Sequence, residues 1–325
     1  MADAEFRAGL HELASGAYAY LQPDGSWGLS NAGLIADGGE TLLVDTLMDL
    51  PRTRAMLEAM RKAEPAAAQI GVLVNTHSNG DHTHGNQLVP EARIVASEAC
   101  YQEMQLLGSP SEEGSMAKAW DRFGKAGAFF QEVMWHRFDT DNIVATLPTE
   151  TFRDKLSLRV GDKEVNLIEV GPAHTRGDVL VHVPRDRIVY TGDIAFIGGH
   201  PIVWAGPVGN WIKACDRILG WDVETVVPGH GPITDKNGIR ALRDYFFYIR
   251  DEARKRFDAG MGYDEAARDI ALDRYADWLD PERVVVNVMT CYREFAGTDE
   301  PDRFGMLDAM ARLYFEHHPE RHHAS

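Results

Sequence analysis

Three cysteines in 325 residues, Cys100, Cys215 and Cys291, are too few and too scattered to build a disulfide framework. Their odd number fits a reducing compartment. Basic charge is also scarce: 33 lysines and arginines stand against 50 aspartates and glutamates, a formal net charge of −17. Nucleic-acid binding needs clustered cations to meet phosphates, so no nucleic-acid partner is expected. A membrane surface of anionic lipid gains no support for the same reason. No apolar run approaches the length of a membrane span. The first ten residues have neither the basic start nor the apolar stretch of a secretion signal, so a cytoplasmic protein is expected. The chain shows no internal repeat or low-complexity tract. The histidines of the tail, His317, His318, His322 and His323, read as a frayed terminus rather than a metal site.

What the chain does have is a 44% hydrophobic content, enough for a substantial core. Its length suits one large domain, or a domain with an appendage. The densest chemistry lies at Asn75–Asn86, N-T-H-S-N-G-D-H-T-H-G-N, directly after the apolar run Ile70–Val74. His77, Asn79, Asp81, His82 and His84 crowd into this stretch. Imidazoles and carboxylates at a strand end ligate divalent ions once neutral or deprotonated. A plain polar loop is the bland alternative, but loops rarely stack so many ligand types. Three later segments repeat the pattern of an apolar run followed by a ligand: His174 in GPAHTRGD, Asp193 in YTGD and His230 in VPGHG. If these runs are strands of layered sheets, their ligand-bearing ends gather at one rim.

In this order the segments resemble the metallo-β-lactamase superfamily of metal-dependent hydrolases, over roughly residues 16 to 240, with glyoxalase-II-like hydrolases the nearest flavour. The first motif of that family is H-x-H-x-D-H. The matches here are His77, Asp81, His82, His174, Asp193 and His230. The resemblance implies an α/β fold, a four-layer αββα sandwich. It implies His77, Asn79 and His174 at a first metal, Asp81, His82 and His230 at a second, and Asp193 between them. The cofactor is then one or two divalent ions, zinc first. One departure stands out, since Asn79 occupies the place of the second motif histidine. An amide oxygen is a harder and weaker donor than imidazole, so the first site is expected to be looser, or to hold manganese or iron. His84, past the turn, is expected outside the ligand set. Asp45, at the end of Thr41–Val44, is expected to brace the metal loop or, equally, to start a helix.

The implied reaction is attack of a metal-bound hydroxide on the carbonyl of a small ester, thioester, lactone or β-lactam, with Asp81 orienting or receiving a proton. An iron-dependent redox enzyme of the same fold, or a binding protein with a degenerate site, are the alternatives. In the Gly- and Pro-rich loop after Asp193, His200 is the best non-ligand residue for substrate contact or proton transfer, with a structural role at least as well supported. Fold does not fix substrate, so the substrate stays open.

Residues 1–236 are expected to form the catalytic domain, with a helical insert at about 98–150. Strands are expected at Gly16–Tyr20, Gly33–Ile35, Thr41–Val44, Ile70–Val74 and Ile94–Ala96. Hairpins follow at Leu156–Val170 and Val179–Tyr190, and a last strand at Thr225–Val227. Arg52–Ala63 and Trp211–Leu219 read as helices, and Ser97 as a helix cap. In the insert, Gly108–Ser111 breaks one helix and Met116–Trp135 suggests another. Its cluster Phe129, Phe130, Met134 and Trp135 is expected to pack on the core, with a lid over the cleft as the functional alternative. Residues 237–325 read as an all-α appendage carrying Tyr245, Phe246, Phe247 and Tyr248. Core packing is the default for these aromatics, and a cleft wall or homodimer face the alternative.

Overall fold

The computed structural model describes residues 6–107, 123–298 and 303–319. Two sheets lie face to face. The first runs β1 (Gly9–Ala14), β2 (Ala17–Leu21), β3 (Ala32–Asp37), β4 (Glu40–Val44), β5 (Val72–Val74), β6 (Arg93–Ser97), β7 (Glu150–Phe152), in that spatial order. It begins as an antiparallel meander and turns parallel from β4 onward. The second sheet holds β8 (Lys155–Val160), β9 (Lys163–Glu169), β10 (Val179–Val183), β11 (Ile188–Tyr190) and β12 (Thr225–Val227), with only β11 and β12 parallel.

Strand periodicity explains the layering. In β4, Leu42 and Val44 point between the sheets and Leu43 points outward, yet all three are buried. Both faces must therefore be covered, as the unbroken apolar run requires. Between the sheets, Ala17, Ile35, Val74 and Val95 meet Val165, Leu167, Val181 and Val227. On the outer face of the first sheet, Leu34, Leu73 and Ile94 bury against Met56, Leu57 and Met60 of α1 (Leu50–Ala63). On the outer face of the second, Leu180, Val189 and Val226 bury against Trp211, Ile212 and Ile218 of the helix Val208–Gly220. This is the αββα sandwich. Each fully buried aliphatic side chain contributes about 1.5–3 kcal/mol, so the three apolar layers dominate the stability.

Helix α1 starts two residues before the expected Arg52, because Asp49 Oδ1 accepts the Arg52 amide at 2.8 Å and Pro51 fits the first turn. Ser97 does cap the next long helix: its Oγ accepts the Cys100 amide at 3.1 Å. Strands β1 and β7 were not expected. Both are edge strands, β1 only half-buried and β7 three residues long, so neither carries a clear alternation. The expected break at Gly108–Ser111 and the start of the helix at Met116 lie outside the described residues. From Gly124 the chain is helical to Phe130 and continues as a π-turn to Trp135.

Beyond β12 come the long helix Lys236–Asp258, then Tyr263–Asp269, Val284–Ala296 and Arg303–His317. Tyr245 and Phe246 are buried in the cluster shared with Trp211, whereas Phe247 is 38% exposed. Phe129 of the insert packs edge-on to Trp27 at 5.7 Å and to Tyr314 at 5.0 Å. The described part of the insert thus packs on the core and the last helix. Among the described residues no helix is long and apolar enough to cross a membrane.

Candidate metal centre

Parallel pairing brings the ligand-bearing ends to one rim. Val44 pairs with Val74 and Val74 with Val95, so Asp45 and Asn75–His77 emerge side by side. Tyr190 pairs with Val227, delivering Asp193 and His230 in the same way. The two rims are joined where the Val179 amide donates to Thr76 O at 2.8 Å, just past the loop that carries His174.

Four imidazoles converge there, and each is fixed from behind through Nδ1. His174 Nδ1 lies 2.7 Å from Ile202 O, and His230 Nδ1 lies 3.0 Å from Gly25 O. His82 Nδ1 lies 2.9 Å from Asp45 Oδ2. His77 Nδ1 lies 3.0 Å from Thr76 Oγ, whose own hydrogen goes to Asp45 Oδ2 at 2.7 Å. Carbonyls, carboxylates and an already donating hydroxyl can only accept. Every Nδ1 therefore carries a proton, and in the neutral ring every Nε2 turns a lone pair inward.

Those lone pairs face oxygens that are also acceptors. Asp193 sits in the middle. Its Oδ1 is 3.1 Å from His82 Nε2, and its Oδ2 is 3.3, 3.5 and 3.7 Å from the Nε2 atoms of His174, His230 and His77. Asp81 Oδ2 is 3.2 Å from His230 Nε2 and 3.8 Å from His82 Nε2. His77 Nε2, His82 Nε2 and Asp193 Oδ1 are buried with no hydrogen-bond partner among the described residues. Leaving such groups unsatisfied costs about 1–3 kcal/mol each, more when charged. A cage made only of acceptors is relieved by cations, so the residues present fit a divalent metal. Two compact sets share His82: His77, His82 and Asp193, and Asp81, His82 and His230, with ligand atoms within 4.8 Å of one another in each.

Without an ion, protons fill the same need. Burial would raise the Asp193 carboxyl, but His230, His82, His77 and His174 hold it well below the usual range. Burial works against protonation of His82 and His230 as well, yet the facing carboxylates push His82 well up and His230 up to about 9, so a metal would displace a proton from each of these rings. His77 goes the other way, driven well down by burial and by His82.

Asn79 is in place but differently engaged. Its Oδ1 lies 2.7 Å from His174 Nε2, at the N-cap of the short helix Gly80–Thr83 that carries Asp81 and His82. An amide oxygen against a lone pair is repulsive. A cation between them, or an amide turned to donate, removes the conflict. His84 is buried, with Nδ1 3.1 Å from Met48 O, and belongs to neither compact set. His200, expected to contact substrate or move a proton or else to have a structural role, is placed away from the imidazoles. It is fully buried, 3.1 Å from the Tyr245 hydroxyl and packed edge-on to Tyr245 and Trp278, and burial and Arg283 push its pKa down to about 3. A neutral imidazole inside the helical region supports packing, not proton transfer in the cleft.

The back of the centre admits no side chain at two glycines. A Cβ on Gly229 would stand 2.0 Å from Asp193 Oδ1, and one on Gly192 would stand 2.4 Å from Thr76 Oγ. The sequence reading missed Thr76, Gly25 and Ile202 as supports of the imidazoles. Thr76 lay inside the motif and was legible as a hydroxyl beside a ligand. The two carbonyls have no side-chain signature at all.

Comparison with known proteins agrees with this geometry. The sequence model described as the metallo-beta-lactamase superfamily matches residues 25–230. The human acyl-coenzyme A thioesterase MBLAC2 is 23% identical over 226 residues, covering 62% of this chain and 72% of that protein. The alpha subunit of a 2,4-dinitroanisole O-demethylase from Nocardioides is 33% identical over 78 residues, 24% of each chain. Among solved structures, the sec-alkylsulfatase Pisa1 from Pseudomonas superposes with a TM-score of 0.64 at 16% identity, over 91% of this chain and 51% of its own, so the chain spans about half of it. A metallo-beta-lactamase from Pontibacter korlensis gives 0.53 at 17% identity, over 73% of this chain and 99% of its own. At these identities the structures speak for the fold alone.

Proposed function

Because the chain belongs to the metallo-β-lactamase superfamily, we propose that it is a metal-dependent hydrolase of a small substrate with an activated carbonyl: an ester, thioester, lactone or β-lactam. One observation carries the reading. Four imidazoles are all fixed as Nδ1 donors, and their Nε2 lone pairs converge on two carboxylates. A divalent ion held there, zinc by the nitrogen-rich donor set, supplies Lewis acidity and lowers the pKa of water from 15.7 to about 7. The chain's own residues do the rest. Asp45 and Thr76 hold His82 and His77 in the ligating tautomer. Asp193 joins the two halves of the donor set. Asp81, 13% exposed at its side chain, is the carboxylate nearest to solvent and is suited to orienting water or receiving its proton. The kinship to an acyl-coenzyme A thioesterase puts thioesters first among the candidate substrates.

The test is elemental analysis of the purified protein paired with a panel of acyl thioesters, lactones, β-lactams and alkyl sulfates. Stoichiometric zinc and carbonyl hydrolysis lost on chelation support the reading. Protein that takes up neither zinc nor manganese overturns it. The amide of Asn79 favours a second reading, a harder ion such as manganese or iron beside His174. Bound iron with oxygen uptake would select the redox branch.

A further inference from the structure

We propose that the C-terminal helical region positions the metal centre from behind, and that Asn287 is the residue that sets His174; this rests on the metal-centre reading above. His174 Nδ1 has one acceptor, Ile202 O. In the same peptide unit, the Val203 N–H is held by Asn287 Oδ1 at 2.9 Å. A trans peptide points its N–H and C=O in opposite directions, so gripping the one aims the other. Asn287 also donates from Nδ2 to Pro201 O at 2.8 Å, on the other side of Ile202. Thr290, one turn on in the same helix, donates from Oγ to Val203 O at 2.8 Å. Asn287 and Thr290 are both buried, and both reach out of the helix Val284–Ala296 into the loop that follows Asp193.

The second imidazole is braced by the same region. Gly25 O receives His230 Nδ1. The next residues are tied to the segment before the helix: Ser26 Oγ donates to Asp280 Oδ1 at 2.6 Å, and Trp27 Nε1 to Glu282 Oε1 at 2.7 Å. Arg283 lies 4.4 Å over the Trp27 ring and donates to His200 O at 3.0 Å. The two backbone carbonyls that fix ligating tautomers therefore sit on loops fastened by residues 280–290. Partners of this kind change metal affinity by about 10–100-fold when removed. Asn287 is a positioning residue, acting through Ile202 on His174.

Cobalt(II) titration of the full-length apo-protein, followed by absorption with a competing chelator, reads this without a substrate. Asn287→Leu is expected to weaken one cobalt equivalent by about tenfold or more and alter its d–d bands, leaving the other unchanged. Thr290→Val, a milder change, is expected to shift the same step by a smaller factor, and it decides the matter if Asn287→Leu does not fold. In a His174→Ala background, Asn287→Leu should add nothing. Met289→Ala, an apolar truncation in the same helix, should lower the melting temperature and leave both cobalt steps alone. Wild-type affinities and spectra in folded Asn287→Leu and Thr290→Val would overturn the positioning role, as would equal weakening by Met289→Ala. Wild-type protein that binds no cobalt would overturn the metal centre itself, and the positioning role with it.

Discussion

Asp45→Asn changes one buried atom from acceptor to donor, and the network around it makes the consequence calculable. Asp45 Oδ1 accepts the Thr76 amide at 2.7 Å, while Oδ2 accepts Thr76 Oγ at 2.7 Å and His82 Nδ1 at 2.9 Å. The Thr76 N–H can only donate, so the asparagine must keep its oxygen there and turn its NH2 toward Thr76 Oγ and His82 Nδ1. The hydroxyl then donates to His77 Nδ1 rather than accepting from it, and His82 Nδ1 also becomes an acceptor. Both rings would carry their proton on Nε2, the atom needed for metal. Metal binding must return the proton to Nδ1 of both rings, where it meets a donor instead of the carboxylate, so in the bound state two charge-assisted hydrogen bonds are lost, at about 1.5–3 kcal/mol each. A total of about 3–6 kcal/mol corresponds to about two to four decades in metal affinity. Chelator competition measures the affinity, and nitrogen-15 chemical shifts of His77 and His82 in apo-protein report the tautomers directly. A variant that binds zinc within about threefold of wild type, with Nδ1-protonated rings, would refute the reasoning.

Other perturbations probe separate parts of the molecule. Asn79→His restores an imidazole beside His174 and is expected to tighten the weaker metal step by about tenfold or more in an apo-protein titration; if no step tightens, Asn79 is not part of that site. Chelation should lower the melting temperature by several degrees, since ligand at 100 times its Kd stabilises by about 2.7 kcal/mol; an unchanged thermal shift would deny a metal bound to the folded state. Glu282, raised to about 7 by burial and Asp280 against the pull of Arg283, is favoured in its neutral form in the folded protein. Its contribution to stability is present at low pH and is lost as pH rises from its ordinary 4.5 through 7. Glu282→Gln keeps an acceptor for Trp27 and should melt above wild type at pH 8 but level with it near pH 4.5. Parallel melting curves across that range would show that Glu282 does not titrate there.

The strands that feed the centre and the ligand order were legible because they follow simple rules. β4, β11 and β12 are apolar runs ended by turn residues, and each leads toward a residue that the structure places in or behind the metal centre. The two edge strands of the first sheet were not legible, since β1 alternates weakly and β7 is three residues long. Asp45 was left between two roles because its choice depends on Thr76 and His82, which sequence separation hides. His200 was left between substrate contact and a structural role for a related reason. Its neighbours in sequence border the centre, but its ring turns away to Tyr245 and Trp278, and only the packed helical region decides that direction. The supports at Gly25 and Ile202 act through backbone, so no reading of side-chain types could find them.

The absent Cβ atoms at 192 and 229 give the centre a one-sided adaptability. Any alanine there would press on Thr76 or Asp193 before it met anything else. Libraries aimed at new reactivity should leave that wall untouched, and with it Asn79 and Asp81, which touch the imidazoles. Exposed positions beside the ligand loops, such as Arg176 two residues after His174, are the places to vary.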